Sequence, residues 1–288
     1  SLIENVRKRQ VRGLPHELVR DYDVELLQRG QTVARREIRD NGQRLNCLAF
    51  EHVDCDAVRV TVRAAHGSPE ARIFELSAEM NGLLIGSVNI AAYSSIATHW
   101  LPAVIGAFQR DYPQIHVNLL EGIWQEVAQW LDDRTADIGF LSYQEDMPYD
   151  WIPLAEDPML ALLPKDHPLA RAKAYPLANC AVDRFIMPAK GCDDDLMALF
   201  HRTGIVPNVQ FTTLESLSAM SMVEQGLGMS VMNKLITERR VCDIVMLPVD
   251  PPASITLGIA LHSKADLSPA VRMFLKYAVR MLTRQKKT

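Results

Sequence analysis

The sequence lacks several things that would settle its class at once. No window holds the run of about 20 apolar residues that a membrane-spanning helix needs, although 48% of the 288 residues are hydrophobic. Aromatic residues make up 7%, and the formal net charge is -4, so no overall basic field advertises nucleic acid. Five cysteines stand at 47, 55, 180, 192 and 242. Their number is odd and none forms a Cys-x-x-Cys pair, which argues against a disulfide framework and against a zinc knuckle. Cys47, His52 and Cys55 offer part of a metal site, but no fourth ligand follows at zinc spacing. Buried free thiols are the expected reading, with no metal and no cofactor. The opening SLIENVRKRQVRG is charged and has no apolar h-region, unlike a secretory signal. A reduced, cytoplasmic protein is expected.

What is present falls into two unlike parts, within a length that suggests two or three domains. Residues 1–80 are rich in arginine (Arg7, Arg9, Arg12, Arg20, Arg29, Arg35, Arg36, Arg39, Arg44), with acids interleaved. Segments 15–28 and 32–40 are read as short helices. AVRVTVRAAHGSPEARIFEL (57–76) reads as a strand, a Gly-Ser-Pro turn and a second apolar stretch. Helices followed by a hairpin suit a winged helix-turn-helix. The plainer alternative is a small helical cap whose arginines solvate its surface.

From Leu83 onward the signals are stronger. LLIGSVNIAAY is strand-like, and Leu101, Val104, Ile105 and Phe108 then recur at i, i+3, i+4, i+7, which marks an amphipathic helix. Pro102 sits in its first turn and Pro113 follows its end. IHVNLLEG alternates as a strand, Trp124, Val127, Ala128 and Leu131 form a second helical stripe, and ADIGFL (136–141) is a short buried strand. This β-α-β-α-β order predicts a parallel sheet with right-handed crossovers. Strands follow at 159–164, 184–188, 209–211, 228–232 and 255–262. Helices are expected around 196–200, 214–225 and 271–282, the last with a basic end at Arg284, Lys286 and Lys287.

Four segments carry a family resemblance: LLIGSVNIAAYSSIATHWLPAVIGAFQRDYPQIHVNLLEG, LDDRTADIGFLS, PMLALLPKDHPLA and TTLESLSAMSMVEQGLGMSVM. In this order and spacing, residues 83–288 resemble the effector-binding domain of LysR-type transcriptional regulators. The resemblance implies an α/β fold of two doubly wound subdomains of periplasmic-binding-protein type, and the small mainly helical domain read above, as a winged helix-turn-helix or a cap, precedes them. It implies that the chain crosses between subdomains near 160 and 262. Subdomain I is then 83–160 plus 263–288, subdomain II is 161–262, and residues 1–80 hold a DNA-binding domain and a linker helix ending in FELSAEMNGLL (74–84). The family's Phe-rich first helix, Ala-Ala pair and Ser-Gln-Pro stretch are absent from residues 1–80. DNA binding therefore rests on architecture by analogy, and no single arginine is given a base-reading role.

In doubly wound sheets ligands sit at the carboxyl ends of strands, where helix N-termini offer free N–H groups. Ser94 and Ser95 lie at such a junction, and their hydroxyls suit a carboxylate. Their plain alternative is helix capping. Gly122, Leu141, Ser142, Thr212 and Thr213 follow other strand ends, and Pro188, within MPAKG (187–191), comes from the second subdomain with Lys190 as a possible charge. Thr213 has its own alternative as a cap, and Gly226 and Gly228 suit a turn. No catalytic set is found. Ser94 and His99 lack a G-x-S-x-G elbow, so His99 is read as packing or capping on the first turn of its helix. CDDDL (192–196) is explained by the helix dipole, and Met80, Met220, Met222, Met229 and Met232 are read as filler. The expected function is a DNA-binding regulator. A small, anionic metabolite binds between the subdomains and re-aims the DNA-binding domains of a homotetramer, with dimer pairing along 101–110 and 115–121. The alternatives are a cytoplasmic sensor or carrier without DNA binding, and an enzyme on the same fold.

Overall fold

A computed structural model describes residues 16, 18–43, 46, 48–50, 53–71, 73, 78–80, 83–188, 194–239 and 241–284. Its contacts divide the chain into two units, 1–76 and 77–288.

In the first unit, β1 (Val19–Gln28), β2 (Gln31–Ile38) and β3 (Ala57–Ala65) form an antiparallel sheet in the order β2-β1-β3. This corrects the helices expected over 15–28 and 32–40. With them goes, for the described residues, the mainly helical, winged helix-turn-helix reading. The misreading has a physical reason. Leu, Arg, Gln and Glu favour helices intrinsically, but the preference is small and tertiary pairing overrides it. Arg29 and Gly30, both at positive φ (50° and 78°), make a two-residue hairpin loop closed by the pair Gln28↔Gln31. Once the loop returns the chain, Val19, Tyr22 and Val24 are buried against Ile38, Phe50, Val58, Val60 and Val62. The strand expected at the start of 57–76 is present as β3.

Three arginines of the unit converge on one carboxylate within the sheet. Asp23, on the central strand and 1% exposed, takes Arg35 at 3.0 Å, Arg39 at 2.8 Å and Arg63 at 2.8 Å. The hydrogen bonds from Arg39 and Arg63 hold its carboxyl down at about 2.

The second unit begins with β4 (Ala78–Met80), antiparallel to the start of β5 (Leu83–Ala92). The helix expected to end the linker at 74–84 is therefore corrected to strand at 78–80 and from 83; positions 74–77 and 81–82 lie outside the described residues. Then come α1 (Ser94–His99), α2 (Leu101–Asp111), β6 (Ile115–Glu121), α3 (Trp124–Asp132), β7 (Ile138–Ser142) and the long β8 (Asp150–Pro164). The chain continues through β9 (Tyr175–Pro176), β10 (Phe185–Met187), α4 (Asp194–Thr203), β11 (Val209–Thr212) and α5 (Ser216–Glu224). It closes with β12 (Ser230–Asn233), α6 (Lys234–Thr237), β13 (Ile244–Asp250), β14 (Ser254–Leu261) and α7 (Pro269–Arg284).

The expected parallel pairing holds for β5 with β6 and β7, and for β10 with β11. The sheet is nevertheless mixed, because β14 returns antiparallel to β7 and β8, and β12 and β13 run antiparallel to β8. β8 serves both halves of the unit. Its residues 150–158 pair β14, and 159–164 pair β12 and β13. The first crossing near 160 is as expected. The second lies at Ala253–Ser254 and not at 262, since β14 is built into the first half's sheet and the Met159 N–H meets the Ala253 carbonyl at 2.9 Å.

Each half has its own core. In the first, Val104 and Phe108 of α2 and Val271 and Phe274 of α7 pack on Val88, Ile90, Phe140 and Ile259. In the second, Leu163, Tyr175, Phe185, Phe200 and Val231 come together. Side chains alternate across a strand, so Ala91, Leu141 and Ala260 face the other way and pack under α3 with Val127 and Leu131. No helix among the described residues is long and apolar enough to cross a membrane.

Candidate ligand-binding cleft

Parallel register brings three strand ends of the first half together. Ala92 lies between Glu121 and Phe140, and the Tyr93 N–H donates to the Phe140 carbonyl at 3.0 Å. The Gly122 N–H donates to the Ala92 carbonyl at 3.1 Å. The segments 93–95, 122–124 and 141–142 therefore share one edge, as expected for a doubly wound sheet.

Ser94 is exposed and Ser95 half-buried at the start of α1. The cap position belongs to Tyr93, and no side chain caps the first turn, so plain capping does not explain the Ser pair. His99 closes α1 and does not sit on its first turn. Gly122 has a packing reason of its own: a Cβ there would stand 2.7 Å from Glu126 Oε2 and 2.9 Å from the Trp130 ring. Leu141 has its side chain fully buried beneath α3, so its side chain belongs to that core. Ser142 is also fully buried, and its carbonyl accepts from Trp124 Nε1 at 3.3 Å.

In the second half, pairing of β10 with β11 sets Met187 beside Thr212, and the Thr213 N–H donates to the Met187 carbonyl at 3.0 Å. Pro188 is buried next to this pair, Thr212 is exposed and Thr213 half-buried. α5 starts at Ser216 with Glu215 at its cap, two residues beyond the start expected near Leu214, so Thr213 is not the cap. Lys190 lies outside the described residues, as do Cys47, His52, Cys192 and Asp193. Of the cysteines described, 55, 180 and 242 are free thiols, and burial pushes Cys180 up to about 12, which keeps it unreactive.

The two halves meet through residues that the sequence reading passed over. The Ser142 hydroxyl donates to Asp195 Oδ1 at 2.6 Å, and the Tyr93 hydroxyl lies 2.9 Å from Ser142 Oγ and 3.3 Å from Asp195 Oδ2. Asp195, at the head of α4, was assigned to the helix dipole; here it reaches across to the first half. Its partners stand 53 and 102 positions away, so no local pattern announces the contact. Tyr93 and Ser142 of the first half and Asp195 of the second thus form one hydrogen-bonded cluster between the halves.

Residues 81–283 match the LysR substrate binding domain. The match starts after the first unit. An uncharacterized HTH-type transcriptional regulator of Bacillus subtilis (strain 168), YvbU, is 28% identical over 210 residues, covering 72% of this chain and 71% of the relative. Among solved structures, HinK, a LysR family transcriptional regulator from Pseudomonas aeruginosa, aligns with a TM-score of 0.59 and 25% identity, over 69% of this chain and 72% of that one. The Synechocystis PCC6803 CcmR regulatory domain, solved in complex with 2-PG, aligns with a TM-score of 0.63 and 21% identity, over 68% of this chain and 97% of that domain.

Proposed function

The chain belongs to the LysR substrate binding domain family, and on that premise we propose that it is a transcriptional regulator controlled by a small oxyanionic metabolite held between the two halves of residues 83–284. The observation that carries this reading is the Tyr93–Ser142–Asp195 contact, which joins strand ends of the first half to the head of α4 in the second. Ser94, Ser95, Gly122, Ser142, Pro188, Thr212 and Thr213 form the binding set, and Leu141 takes part through its backbone alone. A ligand that touches both halves favours one arrangement of them by its differential affinity, and by no more than that. The relatives are named as transcriptional regulators, and we assign no enzymatic activity. We place the protein in the cytoplasm, as a homodimer or homotetramer. α2 and the outer edge of β6, which pairs with β5 alone among the described residues, supply one side of the dimer contact.

A second reading, a sensor or carrier without DNA contact, is favoured by one observation. The described part of the first unit is a sheet, with arginines tied to Asp23 and no helix shaped for a groove. Titration of the full chain with its upstream DNA at several salt concentrations separates the two. A regulator loses affinity steeply with salt as bound phosphates regain counterions, whereas a slope near zero means that no phosphates are neutralised and leaves the carrier reading.

A further inference from the structure

The cleft carries a carboxylate of its own, and its partners are arranged as an anion site. We propose that Tyr93 and Ser142 form an oxyanion subsite which Asp195 occupies, so that a small carboxylate or phosphate binds there by displacing Asp195. The role of this exchange in regulation rests on the cleft reading above.

The geometry is that of a bound anion. The Ser142 to Asp195 Oδ1 distance of 2.6 Å falls in the range of charge-assisted O–H···O⁻ bonds. The second carboxylate oxygen lies within reach of the Tyr93 hydroxyl, at 3.3 Å. The backbones of both residues are held by the first half independently of Asp195. The Tyr93 N–H is bonded to Phe140, and Ser142 pairs with Leu257 in the β7–β14 ladder while its carbonyl takes the Trp124 indole N–H. Ser142 has no solvent exposure, and its hydroxyl is within reach of both Asp195 Oδ1 and the Tyr93 hydroxyl. The subsite is thus a fixed pair of donors in the first half, and the acceptor is carried by a helix of the second. An oxyanion from solution meets the same two donors.

Competition with a tethered group sets the affinity. The carboxylate on α4 is held beside the two hydroxyls by the fold, so weak oxyanions do not displace it. A ligand's apparent affinity falls by the fraction of molecules in which the Asp195 contact is open. Displacement also breaks a contact between the halves, so ligand binding is coupled to their arrangement without any further device.

The test uses the full chain as wild type, Asp195→Ala and Asp195→Asn, with folding checked by circular dichroism. Acetate, the group removed from the alanine variant, is titrated by calorimetry, with inorganic phosphate in parallel. Amide hydrogen exchange is followed in 138–144 and 194–203. The alanine variant should bind acetate about tenfold more tightly than wild type, the order of one charge-assisted hydrogen bond. Its exchange should be faster in both segments. The asparagine variant, which keeps one acceptor oxygen, should fall between. Adding Ser142→Ala to the alanine variant should remove the gain. Equal acetate binding in all three proteins, or unchanged exchange, overturns the proposal. Failure of the cleft reading looks different. The acetate gain and the faster exchange persist, while no carboxylate or phosphate metabolite that wild type binds alters its DNA affinity.

Discussion

Asp23 in the first unit and Asp157 in the second are both nearly excluded from water, 1% and 6% exposed, and they are held by opposite means. Asp23 is met by three guanidinium groups, and its carboxyl is driven down to about 2, mainly by the hydrogen bonds from Arg39 and Arg63. Asp157 sits on β8 where that strand passes between the two halves. It accepts from the Asn233 amide and from the Leu235 N–H at 3.1 Å, and burial pushes its carboxyl up. The first unit is a three-stranded sheet with a thin apolar side, and its central strand carries a carboxylate on which three arginines converge. The second has two full cores and tolerates a buried carboxylate with neutral partners where the chain crosses. The difference bears on function. Three arginines of the first unit converge on Asp23, whereas the second unit leaves Ser94 and Thr212 exposed at strand ends.

The largest expected effect tests the core of the second unit. Phe108 is fully buried and meets the Phe274 ring edge-on at 5.1 Å. Phe108→Ala should cost the second unit about 3–5 kcal/mol and leave hydrogen exchange in β1–β3 unchanged. Equal loss in both units would show that they unfold as one. Next in size is the site. Ser95→Ala should weaken a bound carboxylate by about 1.5–3 kcal/mol, the worth of a hydrogen bond to a charged group, while leaving thermal stability nearly constant. Calorimetry with a metabolite that wild type binds measures this, and unchanged affinity would remove Ser95 from the binding set. The smallest effect is one of sign. Asp23, lowered from its ordinary 3.8, stabilises the first unit fully above that pH, and this contribution is lost as the pH falls toward about 2. Asp157, raised above 3.8, favours the folded second unit most at low pH, and its contribution is lost as the pH rises through its folded value. Carbon-13 NMR of the two carboxyls should show Asp157 titrating at the higher pH. Coincident titrations would erase the contrast between the units.

Much of the second unit was legible because its signals are local. The spacing of Leu101, Val104 and Phe108 marked α2, and the alternation in IHVNLLEG marked β6, each within a few residues of what is observed. The Ser pair was found for the same reason, since it stands where one period gives way to another. The first unit was misread because its residues carry helix propensity and its strand character comes from partners. Val24 and Val60 are directly paired across the sheet from 36 positions apart in the chain. The contact of Asp195 across the halves was missed because a run of acids before a helix has a sufficient local explanation. β14 was placed in the wrong half because a strand's sequence does not say which sheet it joins.

What the sequence alone determined is the alternation of strand and helix from Leu83 onward and the family resemblance that this order carries. These follow from side-chain period and turn chemistry, which are properties of neighbouring residues. Tertiary structure decided that residues 19–65 pair as a sheet around Asp23, that β8 divides its two ends between two halves, and that Asp195 closes on Tyr93 and Ser142. Each of these joins groups tens of residues apart. Their pairing is settled by which loops close and which surfaces are buried together, and no single stretch of sequence contains that information.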